Sequence, residues 1–222
     1  MDPDEFEQAF PSWIKDISEL TDGDAVSIDG KTVCGSRDGD SRRAIHTVSA
    51  WSKASQLSLG QVKVNEKSNE ITAIPKLLDV LVLKGCLVTM DATGCQRDIA
   101  ARITEKGADY LLAVKGSRGC LEEDAERTVR FTKPTSEWME EDSGHGRIEQ
   151  RKCTLYTDLS FIDRAEAWKN PSATVKIEAA RYIKSSGKEE KEVRLYITSS
   201  KANAEAIGKG VRSHWGIENN LH

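Results

Sequence analysis

Three acids in this 222-residue chain sit where a carboxylate needs an explanation. Asp91 closes an apolar run, Leu87, Val88, Thr89 and Met90, which reads as a short buried strand because it is continuous rather than alternating and lies between Gly85 and Gly94. Ligands and metal ions in open α/β sheets are held just beyond the carboxyl ends of strands, where side chains converge. Asp29 ends or lies on an earlier short strand that begins at Ala25. Glu218 falls on a late helix whose stripe is Ile207, Val211, His214, Glu218 and Leu221, mid-stripe, where an apolar residue belongs. Burying an ionised carboxylate there costs several kcal/mol unless it is paired or coordinated.

Each acid has a plainer explanation as well. Asp91 or Thr93 could cap a helix starting near Cys95, Asp29–Gly30 could be a turn dipeptide, and Glu218 could pair with an Arg or His. Together the three point elsewhere. Carboxylates converging within about 3–5 Å repel one another unless a cation lies between them, and hard divalent ions such as Mg²⁺ prefer carboxylate and water oxygens. Two such ions about 4 Å apart activate a water or a 3′-hydroxyl and neutralise a leaving oxygen, which is phosphoryl-transfer chemistry on nucleic acid. No other set competes: the chain has no GxSxG, no P-loop and no HExxH, and His46, His145, His214 and His222 lack metal-ligand spacing.

The elements that must position these acids follow from periodicity. Phe6, Phe10, Trp13, Ile14 and Ile17 predict an amphipathic helix near the start, and residues 36–43 (SRDGDSRR) a loop. Strands are expected at 25–28, 44–51 and 57–64, then a helix from Asn69 or Glu70 with Pro75 in its first turns, the Asp91 strand, a helix to Lys106 stopped by Gly107, a strand at 109–115 and a helix at 120–131. That order fits a mixed sheet with helices on its faces. Residues 132–200 read as a β-rich insertion with strands at RIEQRKCTLYTD, ATVKIEAARYIKS and KEVRLYITS, while Pro134 and Gly144 flank a polar stretch. The last helix occupies 201–222 and is weakened by Gly208, Gly210 and Gly216. Lys209, Arg212, Ser213 and Asn219 fall on its opposite side. The domain division is thus 1–24, a helical segment; 25–131, the first part of the core; 132–200, the insertion; and 201–222, the final helix of the core.

Composition, 38% hydrophobic and 31% charged, is that of a soluble globular protein with one sizeable core. The most apolar stretch is broken by Lys76, Asp79, Lys84 and Gly85, and the opening MDPDEFEQAF carries neither a basic n-region nor an apolar h-region, so a cytoplasmic protein without membrane spans is expected. Five cysteines without CxxC spacing indicate neither a disulfide framework nor a zinc site. A net charge of −4 leaves DNA contacts to local clusters: Arg37/Arg42/Arg43, Arg147/Arg151/Lys152 and Lys209/Arg212.

The motifs SIDGKTVCGSR, MDATGCQ, GADYLLAVKG, GHGRIEQR and RSHWGIENNLH resemble bacterial insertion-sequence transposases of the H-repeat-associated group, a branch of the DDE transposases, over nearly the whole chain. The resemblance implies an RNase H-like core, with a β-rich insertion before the last catalytic helix, that cuts and joins DNA at transposon ends. It assigns Asp29, Asp91 and Glu218 as catalytic acids holding two Mg²⁺ or Mn²⁺ ions. It also places Lys31, His145, Arg147, Arg212, His214 and Asn219 near DNA or near those acids. Double-stranded DNA, both transposon ends and target, a homodimeric partner copy and a nucleoid-associated location in the bacterial cytoplasm are expected on the same ground. Against the family pattern the chain reads as truncated at both ends, and Cys34 stands where a basic residue follows IDGKT. Two alternatives stay open: a catalytically inactive relic that only binds DNA or dimerises, and a host nuclease of the same fold.

Overall fold

The computed structural model describes residues 20–32, 46–64, 70–116, 120–144 and 146–220, with backbone only from 215 onward. The expected first helix, the 36–43 loop, Cys34 and His145 lie outside the described residues, as do the side chains of Glu218 and Asn219.

Strand β1 (Ala25–Thr32) buries Val26 and Ile28 on one side and Ser27 on the other, so it is covered on both faces. It does not turn at Asp29–Gly30. Asp29 pairs with Ser49 and Thr32 with His46 on the antiparallel β2 (His46–Ser52), which in turn pairs with β3 (Leu57–Lys63). Helix α1 (Glu70–Val80) follows, with Ala73, Ile74, Leu77 and Leu78 buried at helical spacing. The chain then alternates β4 (Leu87–Met90), α2 (Arg97–Glu105), β5 (Asp109–Val114) and α3 (Leu121–Phe131). Gly107, at φ 73°, takes the left-handed turn that ends α2 and admits β5. Strands β1, β4 and β5 are parallel, as βαβ connections require.

Residues 132–200 supply four strands where the sequence indicates three. Strands β7 (Arg147–Tyr156), β8 (Ala173–Ile183) and β9 (Lys188–Thr198) fall where expected. The extra strand is β6 (Ser136–Gly144), within the polar stretch between Pro134 and Gly144. Its acids conceal an alternation in which Ser136, Trp138 and Glu140 are less exposed than Glu137, Met139 and Glu141, and pairing to β7 along its whole length holds it. The nine strands of the described residues form one sheet in the order β3-β2-β1-β4-β5-β9-β8-β7-β6. The insertion joins the core through β9, antiparallel to β5, and Thr198 Oγ1 donates to the Tyr110 carbonyl at 2.6 Å at the seam.

The two faces carry separate cores. Helices α1 and α2 cover Val26, Ile28, Val88 and Met90, while α4 (Ala204–Asn220) covers Leu87, Leu111, Cys153, Leu155 and Val175 with Ile207 and Val211. The glycines of α4 are matters of fit. A Cβ on Gly208 would stand 2.8 Å from the Trp138 ring, and one on Gly210 would stand 2.7 Å from Leu87 Cδ2. The helix thus touches β4 on one side and the β6–β7 hairpin on the other. The sheet curls about it, as accumulated strand twist permits, and the loss of helix propensity is offset by close packing. Ser213, expected on the exposed side, is buried, with its hydroxyl donating to the Gly210 carbonyl at 2.7 Å.

Candidate active site

Pairing of β1 with β4 sets Ser27 beside Thr89 and Ile28 beside Met90. One step further along come Asp29 on β1 and Asp91 at the exit of β4, the next residues on neighbouring strands whose spacing is about 4.8 Å. Side chains alternate along each strand, so both acids share the face of Ser27 and Thr89, which is the face under α4. Asp29 is half-buried and Asp91 exposed.

Asp91 does cap, though not the helix anticipated. Its Oδ1 accepts from the backbone N–H of Thr93 at 3.0 Å and of Gly94 at 3.4 Å, and its Oδ2 accepts from Thr93 Oγ1 at 3.2 Å, closing a 3-10 turn at Ala92–Gly94. Gly94 is required there because a Cβ would press on Met90 Sδ at 2.6 Å. An ionised carboxylate has about four lone-pair positions. Three are used in the turn and one on Oδ2 remains, so capping and cation binding are compatible. The turn fixes the carboxylate at the strand exit.

A polar layer underlies the acids. The buried Thr89 donates from Oγ1 to Ser27 Oγ at 3.2 Å and lies 3.0 Å from His214 Nδ1. Burial depresses the His214 pKa below its ordinary value, opposed by the charge of Asp91. His214 therefore ties α4 to β4 two residues before Asp91. Position 218 on the α4 backbone is one helical turn beyond, about 6 Å along the axis toward the acids' end of the sheet.

The expected DNA-contacting cations are mostly engaged within the chain. Arg212 binds Glu140 Oε1 and Asp142 Oδ2, each at 2.7 Å, so it locks α4 to β6. Arg147 Nε and Arg181 Nε both lie 3.0 Å from Glu149 Oε1, and Arg151 binds the other oxygen of the same carboxylate. Three guanidiniums share one carboxylate there, and Glu190 faces Arg181 from the neighbouring strand, so the cluster is balanced by acids around it. Lys31 is half-buried on β1 two residues past Asp29, on the same side of the strand. Among the described residues no three His, Cys, Asp or Glu side chains are arranged to hold a metal ion. Asp29 and Asp91 supply two hard oxygen donors, the type that suits Mg²⁺ or Mn²⁺.

Two residues that no motif or spacing singles out meet behind β1. His46 looked merely unsuited to metal binding and Glu70 merely the start of a helix, yet the structure joins them at the end of β1. The only local sign is Gly30 directly after Asp29, a residue that admits close approach.

With this geometry in place, comparison with known proteins is decisive. Residues 20–222 match the model of the transposase DDE domain. The chain belongs to the DDE transposase-domain family. It is 41% identical over 99% of its length to the H repeat-associated candidate transposase YhhI of Escherichia coli K12, and 41% identical over 98% to the candidate transposase YncI of Escherichia coli O157:H7. An uncharacterized protein from the dhlA 3′ region of Xanthobacter autotrophicus is 36% identical over 91% of the chain. The chain spans 60% of YhhI and 57% of YncI. The mixed sheet flanked by helices accords with the RNase H-like fold of this family. Among the described residues no helix is long and apolar enough to cross a membrane.

Proposed function

We propose that this chain is the catalytic core of an insertion-sequence transposase that cleaves DNA at transposon ends and joins it to a target. The observation that carries the reading is the parallel β1–β4 register, Ser27 beside Thr89 and Ile28 beside Met90, of which Asp29 and Asp91 are the next residues on the two chains. In this reading Asp29, Asp91 and Glu218 hold two Mg²⁺ or Mn²⁺ ions. The bound ions supply a nucleophile at neutral pH and neutralise charge on the leaving oxygen. Asp91 presents its free Oδ2 lone pair from a carboxylate immobilised by Thr93 and Gly94. His214 holds α4 against β4 so that Glu218 arrives from the helix at the same end of the sheet.

Lys31 and the half-exposed Arg147 contact phosphates of the double-stranded DNA, both ends and target, and Asn219 and His214 lie along its path. Arg212 serves the fold first and reaches DNA only at the rim of its pair with Glu140 and Asp142. Synapsis of two ends calls for a second copy of the protein, and action on chromosomal DNA puts it with the nucleoid in the cytoplasm.

The test is metal-dependent nicking and strand transfer on terminal-repeat DNA by the protein and its Asp91→Asn variant. The amide keeps an acceptor for Thr93 and Gly94, so the fold persists while metal binding and both activities are lost. Equal activity of the variant would refute the assignment of Asp91. Nicking without joined product would favour the host-nuclease reading, and absence of both from the wild type would favour the relic.

A further inference from the structure

Glu70 opens α1 and reaches the strand that carries Asp29. Its Oε1 is 2.5 Å from His46 Nε2, and His46 Nδ1 is 3.1 Å from Thr32 Oγ1. Thr32 and His46 are register partners, so the chain Thr32, His46, Glu70 ties the last pair of β1 and β2 to the first turn of α1. The same carboxylate lies against the backbone of Gly30, where any Cβ would collide with its Oε1 and Cδ. An acid that served only the helix dipole would point into solvent and need no glycine opposite it. Here the Glu70 side chain is only 22% exposed and His46 31%.

We propose that Glu70 is the positioning residue for Asp29, an inference that rests on reading Asp29 and Asp91 as metal ligands. Gly30 follows Asp29 and faces the α1 side of the sheet, while Asp29 faces the α4 side. By bearing on Gly30 and clamping His46, Glu70 fixes the β1 backbone from behind and so sets the angle at which Asp29 is presented beside Asp91. Partners behind metal ligands commonly act in this way, and losing one weakens metal affinity by about 10–100-fold. Glu70 is not itself a ligand in this arrangement. Its Oε1 is engaged by His46, and it lies on the opposite face of the strand from Asp29.

The test measures Mn²⁺ affinity by calorimetry and the metal-free melting temperature for the wild type, Glu70→Gln, Glu70→Ala, His46→Ala and Gly30→Ala. Gln retains an acceptor for His46 and the same bulk, so Glu70→Gln should bind Mn²⁺ as the wild type does. Glu70→Ala and His46→Ala should bind about 10–100-fold more weakly. Gly30→Ala, which expels the carboxylate, should match Glu70→Ala, and the double variant should be no worse than either. The inference is overturned if Glu70→Ala and His46→Ala lower the melting temperature without changing Mn²⁺ affinity, which is a purely structural role. It is equally overturned if Glu70→Gln loses as much affinity as Glu70→Ala, which makes the charge itself a ligand. His46→Ala releases Glu70 from a second direction and decides the matter should Glu70→Ala not fold. A wild type that takes up no Mn²⁺ overturns the metal-site reading together with this one. A wild type that binds while every variant matches it overturns this inference alone.

Discussion

Replacing Thr89 by Val isolates the contact that ties α4 to β4. The side chain keeps its volume and loses only Oγ1, which bonds Ser27 Oγ at 3.2 Å and His214 Nδ1 at 3.0 Å. Ser27 and Thr89 are buried, so water cannot readily replace the lost partner. An orphaned buried polar group costs about 1–3 kcal/mol, and a loss of about 2 kcal/mol is expected here. At about 2–4 °C per kcal/mol for a chain of this size, Thr89→Val should melt roughly 4–8 °C lower. Calorimetry reads the loss. Hydrogen exchange should place the added opening in α4, because the broken contact is that helix's polar tie to β4. Exchanging both partners for apolar groups, as in Thr89→Val with His214→Leu, removes the orphaned nitrogen and should recover part of the loss, with a coupling of about 0.5–3 kcal/mol. The reasoning fails if Thr89→Val melts like the wild type, or if the double variant loses the plain sum of the two singles.

Three further outcomes follow from the same contacts. His214 is depressed below its ordinary value of 6.5 by burial, so the unfolded chain binds the proton more readily than the folded one. Its contribution to stability is therefore complete above about pH 6.5 and is lost as pH falls toward the folded-state value, and urea melts should show a steeper decline in that window for the wild type than for His214→Leu. Glu149→Gln leaves Arg147, Arg151 and Arg181 without their shared charge, and it should cost about 2 kcal/mol at low salt, discounted for the half-exposed guanidiniums, with added salt restoring part of the loss; a variant as stable as the wild type at low salt would refute the clamp. Burial pushes the Cys86 thiol up to about 11 and those of Cys95 and Cys153 up to about 12, so among the described cysteines only the exposed Cys120 should be alkylated quickly by iodoacetamide near neutral pH, as peptide masses would show.

Much of the fold was legible locally. The buried run before Asp91, the apolar face of α1, the Gly107 stop and three strands of the insertion each declare themselves within a dozen residues, because side-chain periodicity and turn chemistry act at short range. The strand β6 was not legible: its acids mask a weak alternation that only pairing with β7 stabilises. Nor were Gly208 and Gly210, whose meaning lies in the Trp138 and Leu87 side chains they admit.

The amino-acid sequence by itself determined most of the element types, an aspartate on the first strand and another at the exit of β4 and, through its motifs, the family. Tertiary structure decided which residues face one another. It paired the strand that carries Asp29 with the strand that leads into Asp91, spent three lone pairs of Asp91 on a turn, drew Arg212 and Arg147 into ion pairs, and brought Glu70 from the next helix onto Gly30. The physical reason is one of range. Propensity and periodicity are properties of neighbours in the chain, whereas register, burial and charge pairing depend on groups tens of residues apart that meet only when the sheet is assembled.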